Sequence, residues 1–319
     1  MSDLVLPGTL QPDQLRASLG MLDESVGLSH EGRYYQAFYG LDLPHRSKIQ
    51  SRLGRVQVKD YEIVVQCWWP PEPKGTLVFL HGYYDHMGLY RHVVDWGLEL
   101  GLAVIACDLP GHGLSSGPRA SINEFDEYQH VLNALLNEAH RLDLPQPWHL
   151  LGQSTGGAIL LDYLLHQPED PALGQSMLLA PLIRPQAWVR SALIYRLVRP
   201  FVTQIPRRFS ANSSDSDFLE FIQKRDMLQA NILPVAWVGA LDRWIQRIEA
   251  APGCSRQAPL IVQGEQDTTV DWQYNLPVLE EKFVKPEILR LPTARHHLVN
   301  ESQELRKVYF DFLRERVVG

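Results

Sequence analysis

Cysteine is scarce in this chain: three residues in 319, Cys67, Cys107 and Cys254, no two at the spacing of a zinc knuckle or redox pair. An odd count leaves no complete disulfide framework. Two of the three lie in apolar runs, where a free cysteine acts as a small buried hydrophobe, so the reading is reduced and structural, in a reducing compartment. Basic clusters are missing too. The formal charge is -7, with no basic run interleaved with aromatics, which excludes a nucleic-acid partner. No apolar stretch approaches the roughly 20 residues of a membrane-spanning helix. The start, Met1-Ser-Asp-Leu-Val-Leu-Pro, has no basic region followed by an apolar one, so no secretory signal is expected and the cytoplasm is the expected location. Repeats and low-complexity tracts are absent.

What is present is an ordered rhythm. From Arg55 to Trp69 apolar and polar residues alternate around Lys59-Asp60, which predicts an antiparallel hairpin. Short apolar runs then alternate with stretches of helical period. The runs are Thr76 to Leu80, Leu102 to Cys107, Trp148 to Leu151, Ser176 to Ala180, Leu260 to Val262 and Ile288 to Leu291. Such runs suit strands buried on both faces. Phe125, Tyr128, Val131, Leu132, Leu135, Leu136 and Ala139 recur every three or four residues, and so do Leu305, Val308, Tyr309, Phe312 and Leu313. The pattern predicts an α/β fold, a mostly parallel sheet with helices on both faces and the strand-to-helix loops at one edge.

Between Ala180 and Leu260 the rhythm stops for nearly eighty residues of helical character with no strand-like run. A structureless loop of that length is improbable, so a helical cap over the loop-bearing edge is expected. The domain reading is an N-terminal extension at 1–54, a core at 55–182 and 256–319, and the cap at 183–255. The extension is hard to read beyond a short helix near Pro12 to Met21.

Gly152-Gln153-Ser154-Thr155-Gly156 follows one strand and opens a helix. In that context G-x-S-x-G sets a serine on a sharp turn, with glycines removing side chains that would collide with strand and helix. A serine hydroxyl needs a base, and the base an orienting acid. Asp267 follows the strand Leu260 to Val262, and His296-His297 follows the strand ending at Leu291, so acid and base stand in the chain order such folds use. Asp271 is a substitute acid, expected in the next helix and facing solvent. Spacing leaves His296 and His297 equivalent. Two backbone donors for a developing oxyanion are assigned by loop position to Thr155 and Tyr83. His112 is read as bonding nearby backbone, outside the mechanism.

Four motifs in order carry a family resemblance. These are His81-Gly82-Tyr83-Tyr84-Asp85-His86-Met87-Gly88-Leu89-Tyr90, Asp108-Leu109-Pro110-Gly111-His112-Gly113 with its continuation to Arg119, Gly152 to Gly157, and Ala294-Arg295-His296. Together they resemble the monoacylglycerol lipases and bacterial lysophospholipases, serine hydrolases of the α/β-hydrolase fold akin to the S33 aminopeptidases, over residues from about 55 to 315. The resemblance implies Ser154, Asp267 and His296 as catalytic residues, selecting His296 over its neighbour, with Tyr83 and Thr155 as the oxyanion hole. It implies a small-molecule ester or lipid substrate, monoacylglycerol or lysophospholipid, and neither metal nor organic cofactor. Thr155 stands where the family commonly carries methionine, and the first fifty residues match nothing in it. A thioesterase, a peptidase or a non-catalytic binding protein on the same scaffold are the alternatives.

The cap holds Trp188, Leu193, Leu197, Phe201, Phe218, Phe221, Trp237, Leu241 and Trp244. Helix-on-helix packing is expected to absorb most of them, and the rest to line an acyl tunnel. Between Arg184 and Arg208 stand six arginines and no acid. Solvated surface is the plain reading, and weak contact with an anionic membrane surface or a phosphate headgroup the sharper one.

Overall fold

The computed structural model describes residues 10–23, 27–46, 48–167, 170–253 and 258–318. Two helices open it, α1 (Pro12–Ser18) and α2 (His30–Tyr39). Ser29 caps α2 by accepting the Gly32 N–H at 3.0 Å, which satisfies one of the helix's free donors. The hairpin follows as β1 (Gln50–Val58) and β2 (Tyr61–Trp69). Their antiparallel register runs from Gln50 opposite Trp69 to Val58 opposite Tyr61, with the turn at Lys59-Asp60. β1 therefore begins inside the stretch read as an extension.

The alternating part contains β3 (Thr76–Leu80), α3 (Arg91–Glu99), β4 (Ala103–Cys107), α4 (Asp126–Arg141), β5 (Trp148–Gln153), α5 (Thr155–His166) and β6 (Leu173–Leu179). Then come α6 (Trp188–Val198), β7 (Gln204–Pro206), α7 (Ser216–Lys224), β8 (Ile232–Pro234) and α8 (Val235–Ala250). The chain returns through β9 (Leu260–Gly264), α9 (Trp272–Lys282), β10 (Glu287–Leu291) and α10 (Gln303–Val317). Eight strands form one sheet in the order β1-β2-β4-β3-β5-β6-β9-β10. The hairpin and the β2–β4 pair are antiparallel; every other pair is parallel.

Period two divides the core. Val78 and Leu80 of β3, with Ile105 and Cys107 of β4, pack with α4, α5 and α8. Leu77 and Phe79, with Val104 and Ala106, pack on the other side with α3, α10 and Tyr35 and Tyr39 of α2. Both faces are covered, so these strands are continuously apolar. Cys67 and Cys107 are free and buried, and burial holds both thiols well above their ordinary pKa; Cys254 lies outside the described residues.

One expectation needs correction. The stretch between β6 and β9 does contain strand: β7 and β8 pair antiparallel, Ile205 opposite Leu233. Each has three residues and a proline, too short and too irregular to leave a periodic trace. The apolar residues of this stretch divide between interior and surface. Trp188, Trp237, Leu241 and Trp244 are buried, but Leu193, Leu197 and Phe201 are exposed, Phe201 at 86%.

Candidate active site

Strand order reverses at β3: the chain moves from β3 to β4 on one side, then to β5 on the other. Loops leaving β3 and β5 diverge there and open a crevice at the carboxyl edge. They carry His81 to Tyr90 and Ser154.

Ser154 sits between β5 and α5 with φ 54° and ψ -110°. A non-glycine residue pays for that conformation unless its surroundings enforce it. The enforcement is local, because β5 must run straight into α5 beneath β3. A Cβ on Gly156 would drive into the Leu80 carbonyl, and one on Gly152 into the Gly156 backbone, so only glycine permits so close an approach. The serine is mostly buried, 7% exposed, at the positive end of α5.

His296 Nε2 lies 2.9 Å from Ser154 Oγ, and its Nδ1 lies 2.7 Å from Asp267 Oδ2. The three residues come from the ends of β5, β9 and β10. Asp267 is fixed by further donors: Thr269 N–H at 2.7 Å and Val270 N–H at 3.1 Å to Oδ1, and Gln263 Nε2 at 3.1 Å to Oδ2. Burial pushes this carboxyl's pKa up, but the His296 imidazole and those N–H groups outweigh it and hold the group below its usual range. It therefore stays ionised and accepts the Nδ1 proton, which directs Nε2 to the serine as acceptor. Gln153 Nε2 donates to the His296 carbonyl at 2.9 Å, tying the serine's strand to the histidine's loop.

The neighbouring His297 goes elsewhere. Its Nε2 is 3.1 Å from Asp85 Oδ2, off the line of a hydrogen bond, and its ring lies 4.7 Å from that of Phe218. Asp271 caps α9, accepting the Tyr274 N–H at 3.3 Å. It stands at the helix end rather than within it, and its carboxylate is used there. His112 Nδ1 meets the Pro110 carbonyl at 2.8 Å, and burial with the nearby His81 pushes its pKa down to about 3.

The loop after β3 is anchored at many points. Gly82 N–H donates to Tyr90 Oη at 2.8 Å, and Tyr90 Oη to Asp85 Oδ2 at 2.9 Å. Asp108 Oδ1 accepts the Met87 N–H at 2.8 Å. His86 Nε2 meets Asp226 Oδ2 at 3.0 Å, wholly buried. Tyr83 stacks on Trp237 at 3.7 Å, and its hydroxyl donates to the Ala120 carbonyl at 2.8 Å. Among the described residues no protein acceptor takes the Tyr83 N–H, and Thr155 N–H opens α5 where no intrahelical partner exists. Asp85, Asp226 and His86 were not singled out from the sequence. His86 meets Asp226 across 140 positions and Asp85 neighbours His297 across 212, and the only trace in the sequence is the Asp85-His86 pair inside the Gly82 to Tyr90 run.

A buried imidazole between a serine hydroxyl and an ionised carboxylate, at the switch point of a mostly parallel sheet, defines an α/β hydrolase. Residues 71–303 match the family model described as serine aminopeptidase, S33, and the chain belongs to that family. A monoacylglycerol lipase of Mycolicibacterium smegmatis is 27% identical over 265 residues, 81% of this chain and 94% of that one. The phospholipase YtpA of Bacillus subtilis is 27% identical over 213 residues, covering 64% and 80%. Among solved structures, a soluble variant of the Saccharomyces cerevisiae monoglyceride lipase in complex with a substrate analog superimposes with a TM-score of 0.72 at 16% identity. It covers 83% of this chain and 94% of that one, a likeness of fold.

Proposed function

We propose that the protein hydrolyses carboxylic esters of single-chain lipids, monoacylglycerols or lysophospholipids, through an acyl-enzyme on Ser154. The observation that carries this reading is the continuous contact from Asp267 through His296 to Ser154. Ser154 Oγ attacks the ester carbonyl carbon as its proton passes to His296 Nε2. The imidazolium is stabilised by Asp267, and the oxyanion accepts from the Tyr83 and Thr155 N–H groups. Collapse expels the alkoxide, which takes the proton from Nε2 and leaves as alcohol. Water, deprotonated by the same nitrogen, attacks the acyl carbon; the acyl–Oγ bond then breaks, Ser154 Oγ takes the proton back from Nε2, and the acid is freed.

Lipid rather than polar substrates are favoured by the segment between β6 and β9, which we read as a cap. Its α6 buries only Trp188 and Ala192, while Val189, Leu193, Ile194 and Leu197 are exposed, continued by Phe201. Arg190, Arg199 and Arg208 have no carboxylate in ion-pair reach among the described residues, and Arg196 is held loosely by Asp242 at 3.5 Å. An apolar face edged by cations suits an anionic lipid surface. An aminopeptidase needs an open carboxylate for the substrate ammonium, and the acids at the loop after β3 are already engaged, Asp85 by the Tyr90 hydroxyl and Asp226 by His86.

The test is hydrolysis of 1-oleoylglycerol, lysophosphatidylcholine and p-nitrophenyl butyrate by wild type and Ser154→Ala. The account expects at least a 10⁴-fold loss of kcat on all three, since groups acting as a unit fail together. Ester turnover surviving in the variant would end it.

A further inference from the structure

Of the six arginines between Arg184 and Arg208, Arg207 alone stands against the loop after β3. It follows β7 directly, and its guanidinium lies between two aromatic rings, Tyr84 at 4.0 Å and Phe209 at 4.2 Å. Tyr84 adjoins Tyr83, the proposed oxyanion donor, and holds a left-handed backbone at φ 72°. Nη1 donates to Gln229 Oε1 at 2.6 Å and to the Ala230 carbonyl at 3.1 Å, and the Arg207 N–H donates to the Asn231 carbonyl at 2.9 Å. Position and orientation are thus set by neutral groups.

Among the described residues no carboxylate lies within ion-pair reach of this cation, although two act on it from farther off. The acids that act on it are Asp85 and Asp226. Asp85 accepts from the Tyr90 hydroxyl at 2.9 Å. Asp226 is held by His86, by the Tyr39 hydroxyl at 2.7 Å and by Gln229 Nε2 at 2.8 Å. Burial correspondingly pulls the guanidinium's pKa below its ordinary value. Elsewhere in the same stretch Arg184 is matched to Glu249 at 2.6 Å. A partly buried cation with no acid in contact has guanidinium N–H groups open to a ligand, and a guanidinium fork suits phosphate oxygens.

We infer that Arg207 receives the phosphate of the substrate, so that the site prefers lysophospholipids to neutral monoacylglycerols. This deepens the reading above and rests on it. With the ester carbonyl at Ser154 and the Tyr83 N–H, the adjoining Tyr84, whose ring lies 4.0 Å from the guanidinium, sets the direction of the phosphate. Arg207 acts on specificity and not on the bond-making steps.

The experiment compares kcat/KM for 1-oleoyl lysophosphatidylglycerol and 1-oleoylglycerol in the same neutral detergent micelles. Wild type is expected to favour the phosphate-bearing lipid at least tenfold. Arg207→Gln should cut that ratio at least tenfold, and Arg207→Lys, which keeps the charge but not the fork, should restore part of it. Phe209→Ala removes an exposed ring 4.2 Å from the guanidinium and should lower the ratio about threefold, so the inference stays testable if Arg207→Gln does not fold. A ratio unchanged in Arg207→Gln, or in Phe209→Ala where only that variant folds, overturns it. So does inhibition of 1-oleoylglycerol hydrolysis by inorganic phosphate, lost in Arg207→Gln, without any lipid preference in wild type; the site would then take a free anion. Failure of the underlying reading looks different, as p-nitrophenyl butyrate hydrolysis that survives Ser154→Ala.

Discussion

Two helices of nearly equal length and similar apolar content meet opposite fates. α5 reads Thr-Gly-Gly-Ala-Ile-Leu-Leu-Asp-Tyr-Leu-Leu-His and buries every residue from Thr155 to Leu164. α6 reads Trp-Val-Arg-Ser-Ala-Leu-Ile-Tyr-Arg-Leu-Val and buries two. Composition does not separate them. Placement of the polar residues does. α5 carries glycines where it crosses β3 and β5, and its one acid within the buried run, Asp162, accepts from Trp244 Nε1 at 3.0 Å. α6 carries Arg190 on its exposed side and Arg196 reaching Asp242 of α8 at 3.5 Å, and its small buried face is Trp188 and Ala192. The hidden helix presents a nucleophile; the bare one offers a surface.

The sharpest test of that difference is truncation on each helix. Leu160→Ala in α5 should cost about 2–5 kcal/mol of stability in chemical unfolding, because the surrounding core cannot close the cavity. A cost under about 1 kcal/mol would mean that α5 is not locked in. Acid separates the interior from the surface next. His112 is held neutral inside, with a folded pKa of about 3 against about 6.5 unfolded. The unfolded chain therefore binds the extra proton between those values, and stability must fall as pH drops below about 6.5, by a few kcal/mol at pH 4. His112→Gln should flatten that slope in unfolding titrations, and an unchanged slope would remove His112 as its source. Gly156→Ala should cost about 1–3 kcal/mol and displace Ser154, seen as lower kcat together with a lower melting temperature. The smallest stability effect belongs to Leu193→Ser with Leu197→Ser on α6, within about 0.5 kcal/mol each. That double variant should nevertheless lose most co-sedimentation with anionic vesicles, and retained co-sedimentation would detach α6 from the membrane.

Much of the fold was legible because its causes are local. Thr76 to Leu80 matches β3 residue for residue, and Lys59-Asp60 forms the hairpin turn. Buried strands declare themselves as short apolar runs, and the helices α4 and α10 by their period. β7 and β8 gave no such sign, since three residues cannot show a period and prolines weaken the strand signal. In the site, motif context singled out Ser154, but His296 and His297 are chemically alike. Which ring turns to the serine depends on remote partners, Gln153 on the His296 carbonyl and the Asn212 carbonyl on the His297 N–H at 2.7 Å. No spacing rule contains those partners. The acids Asp85 and Asp226 were illegible for the same reason, and so was the placement of Arg207 against Tyr84.

The central claim is that Ser154 is the activated nucleophile, and intact-protein and peptide mass spectrometry after exposure to a fluorophosphonate ester reads it directly. The account predicts one adduct, on the peptide holding Ser154, absent in Ser154→Ala and formed far more slowly in His296→Ala. An adduct on another residue, or an unmodified Ser154 in protein that still turns over ester, would contradict it.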